Sequence, residues 1–460
     1  MKYSIFFMVL IGCLSCSDKK RPMAREKGDT PKSVKLMTLD PGHFHAALVH
    51  KSMYPTVDST IDIYASDGPE VKDFLDKIKG YNHRRENPTD WKVSSHLGPE
   101  YLKKMIDERP GNVMIVAGKN SKKIDYILAA VEAGLHVYAD KPLVINPEGY
   151  KKLKRAFEIA NENGVLIYDI MTERFEATTA MQKFISTLPE VFGTLVQGTL
   201  EEPAISKESV HHFSKMVSGK PLIRPAWFFD VNEEGEGTVD VTTHLVDLIQ
   251  WEAFPGQIID TIAIEMLVAK RWPTKLSKEQ FQSVTGYNEF PSYLQSVVDN
   301  EHLKVFCNGE MHYKINGKHA KVSVSWSFKA PEGTGDTHYS IMRGSKCDLI
   351  IKQGEEEAFK PVLYLQPKAP SDFLAKLEFL ELEIEKEFPA SELIQASSNL
   401  WRVVIPEELK VGHEAHFAQV TQNYLSYLNE GQLPAWEQPN MISKYYTTTK
   451  AYQMSQESQY

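Results

Sequence analysis

Cysteine is scarce in this sequence, four in 460 residues. Cys13 and Cys16 fall within the first twenty positions, which leaves Cys307 and Cys347 for the body of the chain. Two cysteines cannot frame a disulfide-rich fold, and no metal-type cysteine cluster exists. Basic charge is not in excess either: the formal net charge is −9. That excludes the concentrated basic face a nucleic-acid surface needs. No long block of like charge suggests an interaction tail, and neither an internal repeat nor a low-complexity tract is visible. What remains is ordinary, 42% apolar and 25% charged residues. A chain of this length and composition buries two cores, as a soluble enzyme or binding protein does.

The start of the chain is less ordinary. Lys2 supplies a positive charge, and Ile5 to Ile11 form an apolar run too short to span a bilayer. Leu10-Ile11-Gly12-Cys13 and Leu14-Ser15-Cys16-Ser17 each place a small residue before cysteine. Both resemble the lipobox of bacterial lipoproteins. Residues 1–16 therefore read as a lipoprotein signal peptide, with Cys13 or Cys16 lipidated, and polar residues 17–32 as a tether. No twin-arginine pair stands near the start, so a Sec-type route is expected. The product is expected to be exported, lipid-anchored to a bacterial membrane and facing the periplasm.

Beyond residue 33, strand-like and helical runs alternate. Strand runs at 34–39, 61–65, 112–117, 136–139 and 165–168 are separated by helical periodicity, with Asn146-Pro147 starting one helix and Gly164 ending it. This order predicts a doubly wound parallel sheet over 33–168 that binds nucleotide at the carboxyl ends of its strands. Residues 169–460 read as an α+β domain. Strands over 302–328 and 338–353 are interrupted by Asn308-Gly309 and Asn316-Gly317, which predict antiparallel hairpins on an open sheet. Helices are expected near 371–386 and 409–430, and a homo-oligomer, of a size the sequence does not give, is expected to form through that sheet.

The first strand–helix turn, Asp40-Pro41-Gly42-His43-Phe44-His45, keeps one glycine of a dinucleotide fingerprint. Gly42 allows the backbone to approach a pyrophosphate at a helix start. The His43-x-His45 pair has a rival reading, the metal site of an amidohydrolase barrel. That class needs ligands at the ends of later strands, where Ser66-Asp67, Ala117-Gly118 and Asp140-Lys141 offer no histidine. No metal is expected.

Gly134-Leu135-His136-Val137-Tyr138-Ala139-Asp140-Lys141-Pro142-Leu143 decides the reading. It resembles the G-K-H-V-x-x-E-K-P-L motif of the Gfo/Idh/MocA family, with aspartate in place of glutamate. Val113 to Asn120 resembles that family's third-strand motif, and Thr172-Glu173-Arg174-Phe175 its Asn-Arg-Arg-Phe segment. Asp240-Val241-Thr242-Thr243-His244-Leu245-Val246-Asp247 is similar to its Asp-x-Gly-x-His-x-x-Asp helix, with Thr242 replacing glycine. The resemblance covers residues 34 to 250 most closely. It implies a Rossmann domain followed by an open-sheet substrate domain. It also implies an NAD(P)-dependent oxidoreductase that acts on a secondary hydroxyl of a sugar or glycoside, C3 among them. Some relatives run a redox-neutral glycosidase reaction with bound NAD, and that alternative stays open.

Alcohol oxidation needs a base for the hydroxyl proton and a positive donor for the developing oxyanion. Asp240 and His244, four residues apart, share a face if both lie on one helix. His244 is the natural base, Asp240 orients it or meets the substrate, and Lys141 bridges substrate and nicotinamide ribose. Cofactor contacts are expected from Gly42, His43, Phe44, His45, Ser66, Asp67, Ala117, Asn120, Asp140 and Lys141. Asp67 favours NAD over NADP, unless Ser66 holds the critical place, and the cofactor is expected to be tightly held. Substrate contacts are expected from Arg174, Arg224, Trp227, Asp240 and His244. His211, His212, Asp230, Asp336 and His338 are further polar candidates.

Overall fold

The computed structural model describes residues 34–217 and 220–457. The signal peptide, the tether, Cys13 and Cys16 lie outside them.

Mostly apolar runs form the central strands, buried on both sides as a parallel sheet requires, and a polar strand forms one edge. These are β1 (Val34–Leu39), β2 (Val57–Ala65), β3 (Lys92–Leu97), β4 (Val113–Val116), β5 (His136–Asp140) and β6 (Ile167–Ile170), all parallel in the order β3-β2-β1-β4-β5-β6. The Rossmann expectation is met, and an open six-stranded sheet rules out an amidohydrolase barrel. The crossover helices are α1 (His45–Val49), α2 (Pro69–His83), α3 (Tyr101–Glu108), α4 (Asn120–Glu132) and α5 (Pro147–Asn163). Asn146 caps α5 by accepting from Gly149 N at 2.8 Å, and Gly164 ends it at φ 65°.

The second sheet is mixed and mainly antiparallel. Its strands run in the order Ile264–Leu276, His302–Ile315, Lys318–Lys329, Ile205–Ser214, Thr337–Arg343, Cys347–Lys352, Val362–Pro367, Leu400–Val404, Glu392–Ser397. Only Lys318–Lys329 and Ile205–Ser214 pair in parallel. Asn316 and Gly317, both at positive φ, turn the expected hairpin between Ile315 and Lys318. Asn308-Gly309 makes no turn. Gly309 lies within a strand, paired to Arg271 and Val324, because another backbone crosses it.

Helices α6 (Ala177–Ser186), α7 (Val231–Glu234) and α8 (Thr242–Ala253) pack toward this sheet. Later ones, α9 (Lys278–Thr285), α10 (Pro370–Leu374) and α11 (Leu377–Glu387), bury Phe281, Phe373 and Leu380 in its core. The last two, α12 (His413–Glu430) and α13 (Glu437–Glu457), return to the first sheet. Phe417, Val420, Tyr424, Met441 and Tyr445 complete the first sheet's core. The chain's end thus binds its beginning, and the carboxyl ends of β5 and β6 are held against the second layer.

Candidate active site

The strand order reverses between β1 and β4, so a crevice opens at their carboxyl ends. Asp40, at φ 47°, begins the loop after β1; its carboxylate accepts from Tyr126 Oη at 2.9 Å and Tyr101 Oη at 3.2 Å. The facing loop can only carry glycine: a Cβ on Gly118 would lie 2.5 Å from Asp40 O and 3.1 Å from Gly42 N. Gly42 N and His43 N both donate to Ala117 O at 3.1 Å. Those two donors are therefore engaged within the fold rather than turned to a phosphate. Trp227, in the 3-10 turn Ala226–Phe229, packs over Gly42, and Lys119 lies above its ring. Ser66 and Asp67 are exposed at the end of β2, open to a ribose.

Lys141 follows β5 and is positioned from below. Lys123, fully buried on α4, donates to Asn120 Oδ1, Asp140 O and Pro142 O at 2.6, 2.8 and 3.0 Å. It thereby clamps the cis Lys141–Pro142 turn. Burial lowers the Lys123 ammonium to about 8 against the pull of Asp140 and Glu234. Asn120 Nδ2 donates to Glu234 O at 2.7 Å. The expected cofactor contact from Asn120 is thus a misreading of a structural residue: its side chain is buried and spent on the fold. Lys123 went unnoticed in the sequence, where a helical lysine looks like a solvated one.

Lys141 Nζ donates to Asp240 Oδ1 at 2.6 Å. Burial would lower this ammonium, but Asp240, Asp140 and Glu234 outweigh burial and leave it above the usual lysine value. Glu234, also missed, is pushed well above the carboxylate range by burial and then by Asp240. Asp240 is not on a helical face with His244. Helix α8 starts at Thr242, and Asp240 lies in the preceding turn, its carbonyl accepting from Thr243 N. That turn is pressed onto the second sheet by two glycines. A Cβ on Gly237 would sit 2.3 Å from Cys307 O, and one on Gly309 2.7 Å from Thr238 N. His244 is half-buried on the first turn of α8, and its Nδ1 is buried without a hydrogen-bond partner among the described residues. Burial, then Lys141, hold the imidazole well below the ordinary histidine value.

His43 and His45 turn to Asp140 instead of to the crevice floor. His45 Nδ1 lies 3.0 Å and His43 Nδ1 3.6 Å from Asp140 Oδ2. Phe44 packs edge-on against His45, and Phe417 of α12 closes the other side. Burial would raise the Asp140 carboxyl, but His45, Lys123 and His43 outweigh it and hold it well below the carboxylate range.

The substrate candidates divide. Arg174 is not in the site. It is buried and forks onto Asp247 (2.7 and 2.7 Å) and Glu437 (2.8 and 3.0 Å), while Lys444 joins Asp247 and Asp169 at 2.8 Å each. Its guanidinium ties α8 to α13. Arg224 is buried as well; it donates to Phe213 O and His212 O and lies over Phe228. Asp336 gathers His211, His212 and Lys215, at 3.2, 3.2 and 2.7 Å, into one polar cluster. His338 lies in Thr337–Arg343 with its Nε2 buried and without a partner among the described residues, and Asp230 caps α7.

Comparison with known proteins matches residues 44–169 to "Oxidoreductase family, NAD-binding Rossmann fold" and residues 181–456 to "Putative oxidoreductase C terminal domain". A crystal structure of a "putative oxidoreductase from Parabacteroides merdae" shares 50% identity, covering 93% of this chain and 98% of that one at a TM-score of 0.91. The chain belongs to the Gfo/Idh/MocA family of oxidoreductases. Other solved structures share the fold at 12% identity. Levoglucosan dehydrogenase in complex with NADH covers 92% of this chain and 97% of its own, at a TM-score of 0.59. GenD2 from gentamicin A biosynthesis, in complex with NAD, covers 94% and 97% at 0.56. No curated protein matches the sequence.

The first layer of this Gfo/Idh/MocA member is an NAD-binding Rossmann domain. Ser66 and Asp67 are exposed at the end of β2, Lys141 follows β5, and Gly42 N and His43 N are both engaged by Ala117 O.

Proposed function

We propose that this protein oxidises a secondary hydroxyl of a sugar or glycoside with a tightly held nicotinamide cofactor, NAD in preference to NADP. The observation that carries the reading is the Lys141–Asp240 pair, 2.6 Å across the two sheets' junction, with His244 two residues into the next helix. A bound nicotinamide supplies the hydride acceptor. Ser66 and Asp67 hold the adenosine ribose, and the Asp67 carboxylate disfavours a 2′-phosphate. Lys141 holds the substrate oxygen and stabilises negative charge on it. His244 takes the hydroxyl proton, its imidazole already neutral. Asp240 keeps Lys141 charged and aimed. The aromatic and polar lining from Trp227 and the Asp336 cluster suits a sugar, and levoglucosan dehydrogenase has the same fold.

The reading includes export to a bacterial membrane, facing the periplasm, which the lipobox resemblance supports, and a homo-oligomer formed through the second sheet. A recycled cofactor accounts for nicotinamide use outside the cytoplasm. Mass spectrometry of the denatured, purified protein should release NAD in near-stoichiometric amount. A glycoside panel should then show oxidation without metal-dependent hydrolysis. Absence of any dinucleotide, bound or added, would remove the dehydrogenase reading. Turnover of a glycoside to free sugar with no net reduced cofactor would favour the redox-neutral glycosidase.

A further inference from the structure

His43, His45 and Asp140 bring two imidazole nitrogens and a carboxylate oxygen within 4.8 Å of one another. They come from the turn into α1 and from the last residue of β5, two strand positions away from β1 in the parallel sheet. Both Nδ1 atoms face the same oxygen, Asp140 Oδ2, at 3.0 and 3.6 Å. The backbone N–H of His45 points at His43 Nδ1 from 3.4 Å. His45 Nδ1 is within hydrogen-bonding distance of Asp140 Oδ2, and a metal ion bound by the same two groups would replace the proton they share.

Among the described residues no lysine or arginine meets the Asp140 carboxylate directly. Lys123 binds the Asp140 backbone carbonyl rather than its carboxylate, and Lys141 is drawn to Asp240. The groups are also held still. Asp140 and His45 are buried, the His43 and His45 rings meet edge-to-face at 4.2 Å, and Phe417 backs His45 at 4.8 Å. The His413 ring, 5.7 Å from His45, borders the cluster from α12.

We propose that His43, His45 and Asp140 bind one divalent transition-metal ion of the zinc class. Two imidazoles and one carboxylate suit zinc, cobalt or nickel, whereas magnesium and calcium prefer all-oxygen cages. Three protein ligands leave a coordination position for water or a substrate oxygen, as in catalytic rather than structural zinc sites. The sequence reading expected no metal, because it sought a histidine at the later strand ends; aspartate at the end of β5 serves instead. The site does not depend on the dehydrogenase reading.

The test uses the full chain, stripped with a chelator and shown folded by circular dichroism. Cobalt(II) titration followed by visible absorption, then displacement by zinc followed by calorimetry, should give one site per chain. His45→Ala and Asp140→Asn should each weaken binding by at least about 100-fold, since even an outer-shell change costs about 10- to 100-fold. His43→Gln, at a partly exposed position, gives a variant that keeps its fold and should weaken binding similarly. Folded wild-type protein that takes up no cobalt or zinc overturns the proposal. Binding that survives all three substitutions overturns it too, by placing the ion elsewhere. The dinucleotide content of the same preparations, read by mass spectrometry, decides the proposed function separately.

Discussion

Lys141 Nζ and Asp240 Oδ1 stand 2.6 Å apart although 99 residues separate them. The pair joins the end of β5 to the turn before α8, so a charge from the first layer meets one from the second. Asp240 is buried and Lys141 nearly so, and removing either takes away the other's hydrogen-bonded partner. Lys141→Ala should lower kcat by about 100- to 1,000-fold, as loss of an oxyanion donor does. Asp240→Ala should cost a comparable factor, and the double variant little more than either alone. Steady-state turnover of the four proteins checks this; independent, multiplying losses would mean that the pair does not act as a unit.

The resemblance to family motifs pointed to loops that the fold gathers in one crevice, and to some residues whose side chains are engaged elsewhere. Lys141, Asp240 and His244 follow short local patterns, and the fold brings them together. Arg174 carried an equally plausible motif, yet its partners Asp247 and Glu437 lie 73 and 263 residues further on, where no local signal points to them. Helix α13 escaped because it buries Asn440, Ser443, Lys444 and Thr447 as well as Tyr445, which erases the apolar stripe that marks most helices. Strand β3 escaped for the opposite reason: Lys92–Leu97 is an edge strand whose side chains alternate between exposed and half-buried, with little apolar content. His45 and Asp140 lie 95 residues apart, and their cluster with His43 needed the sheet order to become visible.

Arg174 should therefore behave as a structural residue. Arg174→Ala leaves Asp247 and Glu437 buried with Lys444 as their remaining cation, a loss of about 3–5 kcal/mol for a broken buried pair. The expected result is a large fall in denaturant midpoint, with KM for a glycoside unchanged under conditions where the variant remains folded. A raised KM with undiminished stability would return Arg174 to the substrate site.

Membrane anchoring rests on residues before Val34 and is tested there. Radiolabelled palmitate should enter the wild-type protein in a bacterial host. Changing Cys13 and Cys16 together to serine should abolish incorporation, and the single changes identify the acceptor. Label retained in the double variant would remove the lipoprotein reading without touching the enzymatic one.

His244 offers the most discriminating measurement. Its Nδ1 is buried without a partner among the described residues, and burial followed by the Lys141 charge holds the imidazole well below its ordinary value. A base with a depressed pKa is unprotonated throughout neutral pH and gains a proton only as pH falls through that lower value. Alcohol oxidation should therefore be level in its dependence on His244 from about pH 6.5, the free histidine value, upward. Its acid limb should lie below that point. His244→Ala should lower turnover by about 100- to 10,000-fold, the usual contribution of a positioned base, and should abolish that limb. Cofactor affinity should be retained, since His244 belongs to the second layer while the crevice floor is built by the first. The experiment is a pH profile of kcat for a responsive glycoside, with cofactor titration of wild type and variant. A wild-type limb centred at the ordinary histidine value would show that His244 is more solvated during turnover than its packing implies. Near-normal turnover in His244→Ala would pass the base role to Asp240 or Lys141.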